Sequence, residues 1–310
     1  MRIVFFGSPK AALPSLERLL EAGHPVGLIV TQPDRPAGRG KEPAPPPVKE
    51  AALRHGIPVL QPEKIRKDEG AAESIRKAAP DIIVVVAYGQ IIPASIINSP
   101  RYHSVNVHFS LLPKYRGAAP VQWAILNGEP RTGVTIFKLN EKMDEGEILN
   151  QLEIDIRPRE DARDLEDRLS RLGADLLVRT LEKIDELPRR PQDHTLASFA
   201  PRLRKDQGRI SWGNDADSID RLVRAFTPWP GAFTFFRGQR LIIRAGNPLP
   251  AFTPPSEPGR IAGLPREGIV VGCGGGSAYL IARLQKESKK AMAAADFLRG
   301  IKIEVGESLE

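Results

Sequence analysis

Cysteine is almost missing from this 310-residue sequence, which contains one, Cys273. A single thiol cannot build an intramolecular disulfide framework and leaves no thiolate cluster for zinc. Histidine is scarce as well. His24, His55, His103, His108 and His194 show no H-E-x-x-H or other ligand spacing, so no metal is expected. No run of about 18 apolar residues occurs and the opening MRIVFFGSP has no signal-peptide profile, so a soluble, cytoplasmic chain is expected, with no membrane partner. The first turn carries one glycine, Gly7, where a dinucleotide site needs G-x-G-x-x-G, which counts against a nicotinamide enzyme.

With 41% hydrophobic and 27% charged residues, the chain can bury two ordinary cores, and its length suggests about two domains. The net charge is +7. From Ala200 onward 17 basic residues face 11 acidic ones, which puts +6 there and leaves +1 for the first 199. A basic C-terminal part fits an acidic partner such as nucleic acid, although solvated basic faces are common.

In the first part, apolar runs at 2–6, 26–30, 58–60, 82–87 and 104–108 alternate with helical leucine and alanine spacing at 11–20, 48–55 and 71–78. That alternation predicts a parallel, Rossmann-like sheet with ligands beyond the carboxyl ends of its strands. Further strands are expected at 132–139 and 148–156, and one long amphipathic helix at 162–187. The stretch 31–47 is too rich in Pro and Gly for helix or strand and reads as a long loop, functional or merely solvated. Pro188 to Pro201 lacks periodicity. The expected division is therefore a catalytic domain at 1–189, a linker at 190–205 and a second domain at 206–310. There, a helix at 218–225 and short runs at 232–236, 240–244, 259–263, 268–271 and 279–284, spaced by Gly and Pro, predict a small antiparallel β-barrel. A strand is also expected at 210–212. Gly272 and Gly274 to Gly276 read as a tight hairpin.

The chemistry concentrates at 104–125. Val105-Asn106-Val107-His108 alternates like the end of a strand, so Asn106 and His108 share a face. Asn supplies amide donors and His a proton relay near neutral pH, although an isolated N-x-H is also what a satisfied core histidine looks like. Asp144, in a loop with Gly146, is an ordinary turn aspartate unless it meets that histidine, which it would then orient and charge.

Three stretches, TQPDRPAGRGK from Thr31, SLLPKYRGAAPVQWAI from Ser110 and MDEGEIL from Met143, resemble methionyl-tRNA formyltransferases, and the likeness covers almost the whole chain. The resemblance implies a monomer with a Rossmann-like formyltransferase domain and an OB-like C-terminal barrel. It implies transfer of a formyl group from 10-formyltetrahydrofolate to the amino group of methionine on initiator tRNA. Matched residue by residue, Asn106, His108 and Asp144 correspond to the family's catalytic trio. Ser110, Leu111, Leu112 and Pro113 correspond to its folate-binding stretch. The backbone of Val86, Tyr88 and Gly89, with the loop from Asn140, would hold the pterin. Arg35, Arg39 and Lys41 lie in the loop that meets the tRNA acceptor end, and Lys289 and Lys290, in a barrel of the tRNA-holding kind, could touch phosphate or be solvated. Phe109 departs from the family, which usually carries a small residue there; its ring could narrow the folate pocket or merely point outward. The rival readings are a folate-dependent formyltransferase acting on a sugar or purine-pathway amine, and a non-catalytic RNA-binding relative.

Overall fold

An apolar run without alternation, such as Ile3–Gly7 or Ile82–Val86, has no polar face to offer solvent, and both runs are buried along their whole length. In the computed structural model, which describes residues 1–37 and 42–310, the first compact unit gathers residues 1–120, 131–155 and 166–201. Its chain begins with β1 (Ile3–Gly7), α1 (Leu13–Glu21), β2 (Val26–Val30), the short β3 (Arg35–Ala37) and β4 (Glu42–Ala44), and α2 (Pro47–Arg54). There follow β5 (Val59–Leu60), α3 (Glu69–Lys77), β6 (Ile82–Val86), the one-turn α4 (Ala94–Ile97), β7 (Ser104–His108) and β8 (Arg116–Gly117). After α5 (Pro120–Leu126), nearly all of which belongs to the second unit, come β9 (Arg131–Lys138), β10 (Ile148–Asp155), α6 (Ala162–Glu182), whose first four residues also belong there, and β11 (Phe199–Ala200).

The main sheet has the order β10-β9-β7-β6-β1-β2-β5. From β7 to β5 every pair is parallel, whereas β9 runs against β7 and β10 against β9. The expected parallel sheet therefore carries an antiparallel edge. The reason lies in where β9 starts: its first residues lie beyond His108, at the carboxyl end of β7, so no crossover has to carry the chain back. One face packs Val4, Phe6, Val30, Ile83 and Val85 against Ile75 of α3 and Ile96 and Ile97 of α4.

The stretch at 31–47 is not devoid of strand, as expected, but forms the antiparallel pair β3 and β4 with Pro36 opposite Pro43. A two-stranded ribbon tolerates proline because its outer N–H groups bond to nothing. The predicted helix at 162–187 ends at Glu182, and no strand forms at 210–212, where the Ile210 N–H makes one bond to the Phe233 carbonyl.

The second unit gathers residues 121–130, 156–165 and 202–310. It holds α7 (Ala216–Ala225), β12 (Ala232–Phe236), β13 (Gln239–Leu249), β14 (Ile261–Gly263), β15 (Ile269–Gly272), β16 (Ala278–Lys286), β17 (Met292–Ala293) and α8 (Ala294–Gly300). Asp215 caps α7 by accepting from the Ser218 N–H at 2.7 Å. Strands run β12-β13-β16-β15-β14 as a curled antiparallel sheet, with β17 beside β16. The β15–β16 hairpin turns through Gly274–Gly276. Its two outer edges do not stay open. The Ile261 N–H bonds the Glu307 carbonyl and Leu309 bonds Gly259, while Phe235 and Glu310 exchange both bonds. The segment 307–310 thus bridges β14 to β12 and closes the half-barrel over a core of Trp212, Ile243, Tyr279, Phe297 and Leu309.

Candidate active site

Alternation along β7 places Ser104, Asn106 and His108 on the face that carries α4, since the Ser104 Oγ donates to the Ile97 carbonyl at 2.8 Å. His108 is buried. Asn106 is half-buried, and its amide makes no hydrogen bond to another side chain or backbone group among the described residues. The ring of Phe137, on β9 opposite Asn106, meets the His108 imidazole edge-on with centroids 6.4 Å apart.

Beyond the strand, residues 110–113 form a pinned loop. Thr135 Oγ1 donates to the Ser110 carbonyl at 2.7 Å and accepts from the Leu112 N–H at 3.1 Å, and Gln151 Nε2 donates to the Leu112 carbonyl at 2.9 Å. The buried Ser110 hydroxyl closes the loop onto the Lys114 carbonyl, and Leu112 packs with Phe137 and Ile148. The chain then enters a left-handed conformation at Tyr115, φ 63°, which turns its carbonyl onto His108 Nε2 at 2.9 Å. A carbonyl only accepts, so Nε2 carries the hydrogen and Nδ1 is left facing the other way.

Asp144 is what Nδ1 faces. The loop after β9 leaves beside Ser104, at the far end of β7, and doubles back until Asp144 Oδ2 lies 3.8 Å from His108 Nδ1. Oδ2 also accepts from the Gly117 N–H at 2.7 Å, while Oδ1 has no hydrogen-bond partner among the described residues. Gly117 sits at φ 123°, and a Cβ there would lie 2.7 Å from the Ala200 carbonyl oxygen, so only glycine fits. The loop is braced from below. Gln192 Nε2 donates to the carbonyls of Asp144 and Gly146, both at 2.8 Å, and its Oε1 accepts from the buried Arg116 at 2.7 and 3.1 Å. Arg116 also meets Glu145 at 3.3 Å.

His108 and Asp144 therefore converge from β7 and a separate loop, with Asn106 on the same face of the strand two residues before the histidine. Tyr115, Gly117 and Gln192, which support them, were not picked out by sequence. The first two act through backbone groups that any residue possesses, and Gln192 lies in the aperiodic stretch read as a linker. That stretch is structured through Ala200, where β11 pairs with β8.

Phe109 resolves into the sheet's other face. It is buried, and a Cβ on Gly173 of α6 would sit 3.6 Å from its ring and 3.0 Å from Val107. The ring fills the room left by that glycine and turns away from His108.

Val86 is buried at the end of β6, and the Tyr88 side chain lies in the core, edge-on to Phe6 at 5.1 Å. Burial pushes its phenol up, and the hydroxyl has no hydrogen-bond partner among the described residues. What this turn can present to a ligand is main chain at Tyr88 and Gly89. Asn140 is exposed and accepts from the Lys142 N–H at 3.1 Å. Arg35 is exposed and pairs with Glu63 at 3.0 Å. Arg39 and Lys41 lie outside the described residues. Lys289 and Lys290 are exposed after β16, with no carboxylate paired to them among the described residues. No group of three or more His, Cys, Asp or Glu residues that could hold a metal occurs among the described residues. Among them, no helix is long and apolar enough to cross a membrane.

A Rossmann-like sheet followed by a curled antiparallel half-barrel is the formyltransferase architecture. Residues 1–181 match the family model described as formyl transferase, and residues 202–302 the one described as formyl transferase, C-terminal domain. A methionyl-tRNA formyltransferase of Geobacter metallireducens is 47% identical over 99% of this chain and 97% of its own. Among solved structures, a methionyl-tRNA formyltransferase from Clostridium thermocellum is similar in fold, with TM-score 0.58 and 19% identity over 80% of this chain and 93% of that one. So is HypX from Aquifex aeolicus in complex with tetrahydrofolic acid, with TM-score 0.67 and 19% identity over 99% of this chain and 48% of that one. The chain belongs to the methionyl-tRNA formyltransferase family and is a formyl-transferring enzyme.

Proposed function

We propose that this enzyme moves the formyl group of 10-formyltetrahydrofolate onto the amino group of methionine carried by initiator tRNA, giving formylmethionyl-tRNA for translation initiation in the cytoplasm. The observation that carries the reading is the approach of Asp144 to His108 on the strand face that also carries Asn106, whose amide has no hydrogen-bond partner among the described residues. That amide suits the donor set a folate-borne formyl oxygen requires. The folate supplies an activated formyl carbon and a nitrogen able to leave.

When an amine adds to a formyl carbon, negative charge gathers on the oxygen, and preorganised donors aimed at it lower the barrier. The Asn106 amide is such a donor, and so is His108 Nδ1 when protonated. Nε2 cannot exchange its hydrogen without giving up the Tyr115 carbonyl, so Nδ1 is the ring atom that would hand a proton to the folate nitrogen as its bond to the formyl carbon breaks. Asp144 stabilises charge on that ring. Its Oδ2 is fixed by Gly117, which leaves Oδ1 to take a proton from the attacking amine or to hold a water that does. The loop at 110–113, the main chain of Val86, Tyr88 and Gly89, and the loop from Asn140 would hold the folate. Arg35, Arg39 and Lys41 would meet the tRNA acceptor end, and Lys289 and Lys290 its phosphates. The enzyme is proposed to act as a monomer without metal, with domains at 1–189 and 206–310.

The test is formyl transfer from 10-formyltetrahydrofolate to methionylated initiator tRNA, with His108→Ala as control. Transfer by the native protein and its loss in the control support the reading. Transfer to an amino sugar in preference to the tRNA overturns it.

A further inference from the structure

Gln32, second residue of the TQPDRP stretch, commits each of its polar groups to a different neighbour. Its backbone N–H donates to Ser8 Oγ after β1 at 2.9 Å, and its carbonyl accepts from Gln61 Nε2 after β5 at 2.9 Å. Its side-chain Nε2 donates to the Tyr88 carbonyl after β6 at 2.9 Å, and its Oε1 accepts from Gln90 Nε2 at 3.3 Å. Gln61 continues the chain by donating to Asp34 Oδ1 at 2.7 Å. Lys49 Nζ holds both oxygens of that carboxylate, at 2.9 and 2.8 Å. The bonds from Gln61 and Lys49 keep the Asp34 carboxyl below its usual range. The next residue, Arg35, opens β3.

A solvated loop base has no need of such a junction. A fully satisfied polar network fixes the segments it joins into one arrangement. At one end here is the turn of Tyr88 and Gly89, where a Cβ on Gly89 would come 3.7 Å from Gln32 Nε2. At the other is the antiparallel β3–β4 pair. An amide is required at position 32, because one group must donate to a carbonyl while the other accepts from Gln90.

We propose that Gln32 is a positioning residue that couples the turn at Tyr88 and Gly89 to the β3–β4 pair, so that a folate on the turn tightens the grip on initiator tRNA. This rests on the function proposed above. By linkage the same factor applies in reverse, tRNA tightening folate.

The experiment measures the Kd of methionylated initiator tRNA with and without saturating 5-formyltetrahydrofolate, by fluorescence anisotropy. The native protein should bind at least about fivefold tighter with the folate. Gln32→Glu keeps the volume but faces the Tyr88 carbonyl with a second acceptor, and should bring the ratio close to one. At saturating substrates its kcat should stay within about threefold, while both KM values rise. Gln61→Met cuts the link to Asp34 without touching the Tyr88 bond and should collapse the ratio as well; it decides the matter if Gln32→Glu does not fold. A ratio of one in the native protein, or an unchanged ratio in the folded variants, overturns the coupling. Formyl transfer with a ratio of one sinks the coupling alone, whereas absence of transfer sinks the function beneath it.

Discussion

At the residue scale, the site depends on which atoms are already taken. The Tyr115 carbonyl takes His108 Nε2 and the Gly117 N–H takes Asp144 Oδ2, so Nδ1 and Oδ1 are the atoms left for the proposed chemistry. His108→Ala and Asp144→Ala should each lower kcat by about 100-fold or more, the scale of general acid-base groups, with the circular dichroism spectrum unchanged. Asn106→Ala should cost about 100- to 1,000-fold in kcat, as loss of an oxyanion donor does, while the folate KM moves little. Full turnover in any of these variants removes that residue from the mechanism. One titration bears on stability. Burial first, and Asp167 second, push the Glu166 carboxyl above its usual range. The native state then holds the proton to higher pH than the unfolded chain does, so stability falls as pH rises from the unfolded value through the raised one. Glu166→Gln should therefore melt higher than the native protein at pH 7, and the gap should close near about pH 4. An equal gap at both values would refute the linkage.

At the element scale, α6 lies close over β7 because Gly173 has no side chain. A Cβ there would approach Val107 to 3.0 Å and Val134 to 3.2 Å. Gly173→Leu should cost about 1–3 kcal/mol in urea unfolding through overpacking, and should lower activity by moving the strand that carries Asn106 and His108. Stability equal to the native protein would mean that the helix is free to shift. The strand that bears the site was legible from its alternation, and the core strands from their unbroken apolar runs. The β3–β4 pair was not, since its prolines argue locally against strand. The antiparallel edge was hidden too, because direction within a sheet depends on where a neighbouring strand begins and leaves no mark on composition.

At the scale of the whole chain, the second unit is closed by its last residues. Leu309 is buried in that core while its neighbours bond to both sheet edges. Leu309→Ala should destabilise this unit by about 2–5 kcal/mol, read as an earlier unfolding transition in guanidinium chloride. An unshifted transition would leave the tail ornamental to the fold. The excess of basic residues after Ala200 was plain in the sequence, but not which of them lack partners. Neutralising Lys289 and Lys290 together should flatten the logarithmic salt slope of tRNA affinity by about 2 if each meets a phosphate. An unaltered slope would assign both to solvent.

The sequence by itself determined the two-part architecture, because hydrophobic period is a local property that a linear reading retains, and its long motifs, by their resemblance to a family, pointed to that family and to Asn106, His108 and Asp144 as candidates. Only the tertiary structure decided that Asp144 returns over β7 to face Nδ1, that Phe109 turns under α6, and that Gln32 binds several strand ends at once. Those facts consist of distances between residues far apart in the chain, and they are set by packing and by the need to pair buried backbone N–H and C=O groups.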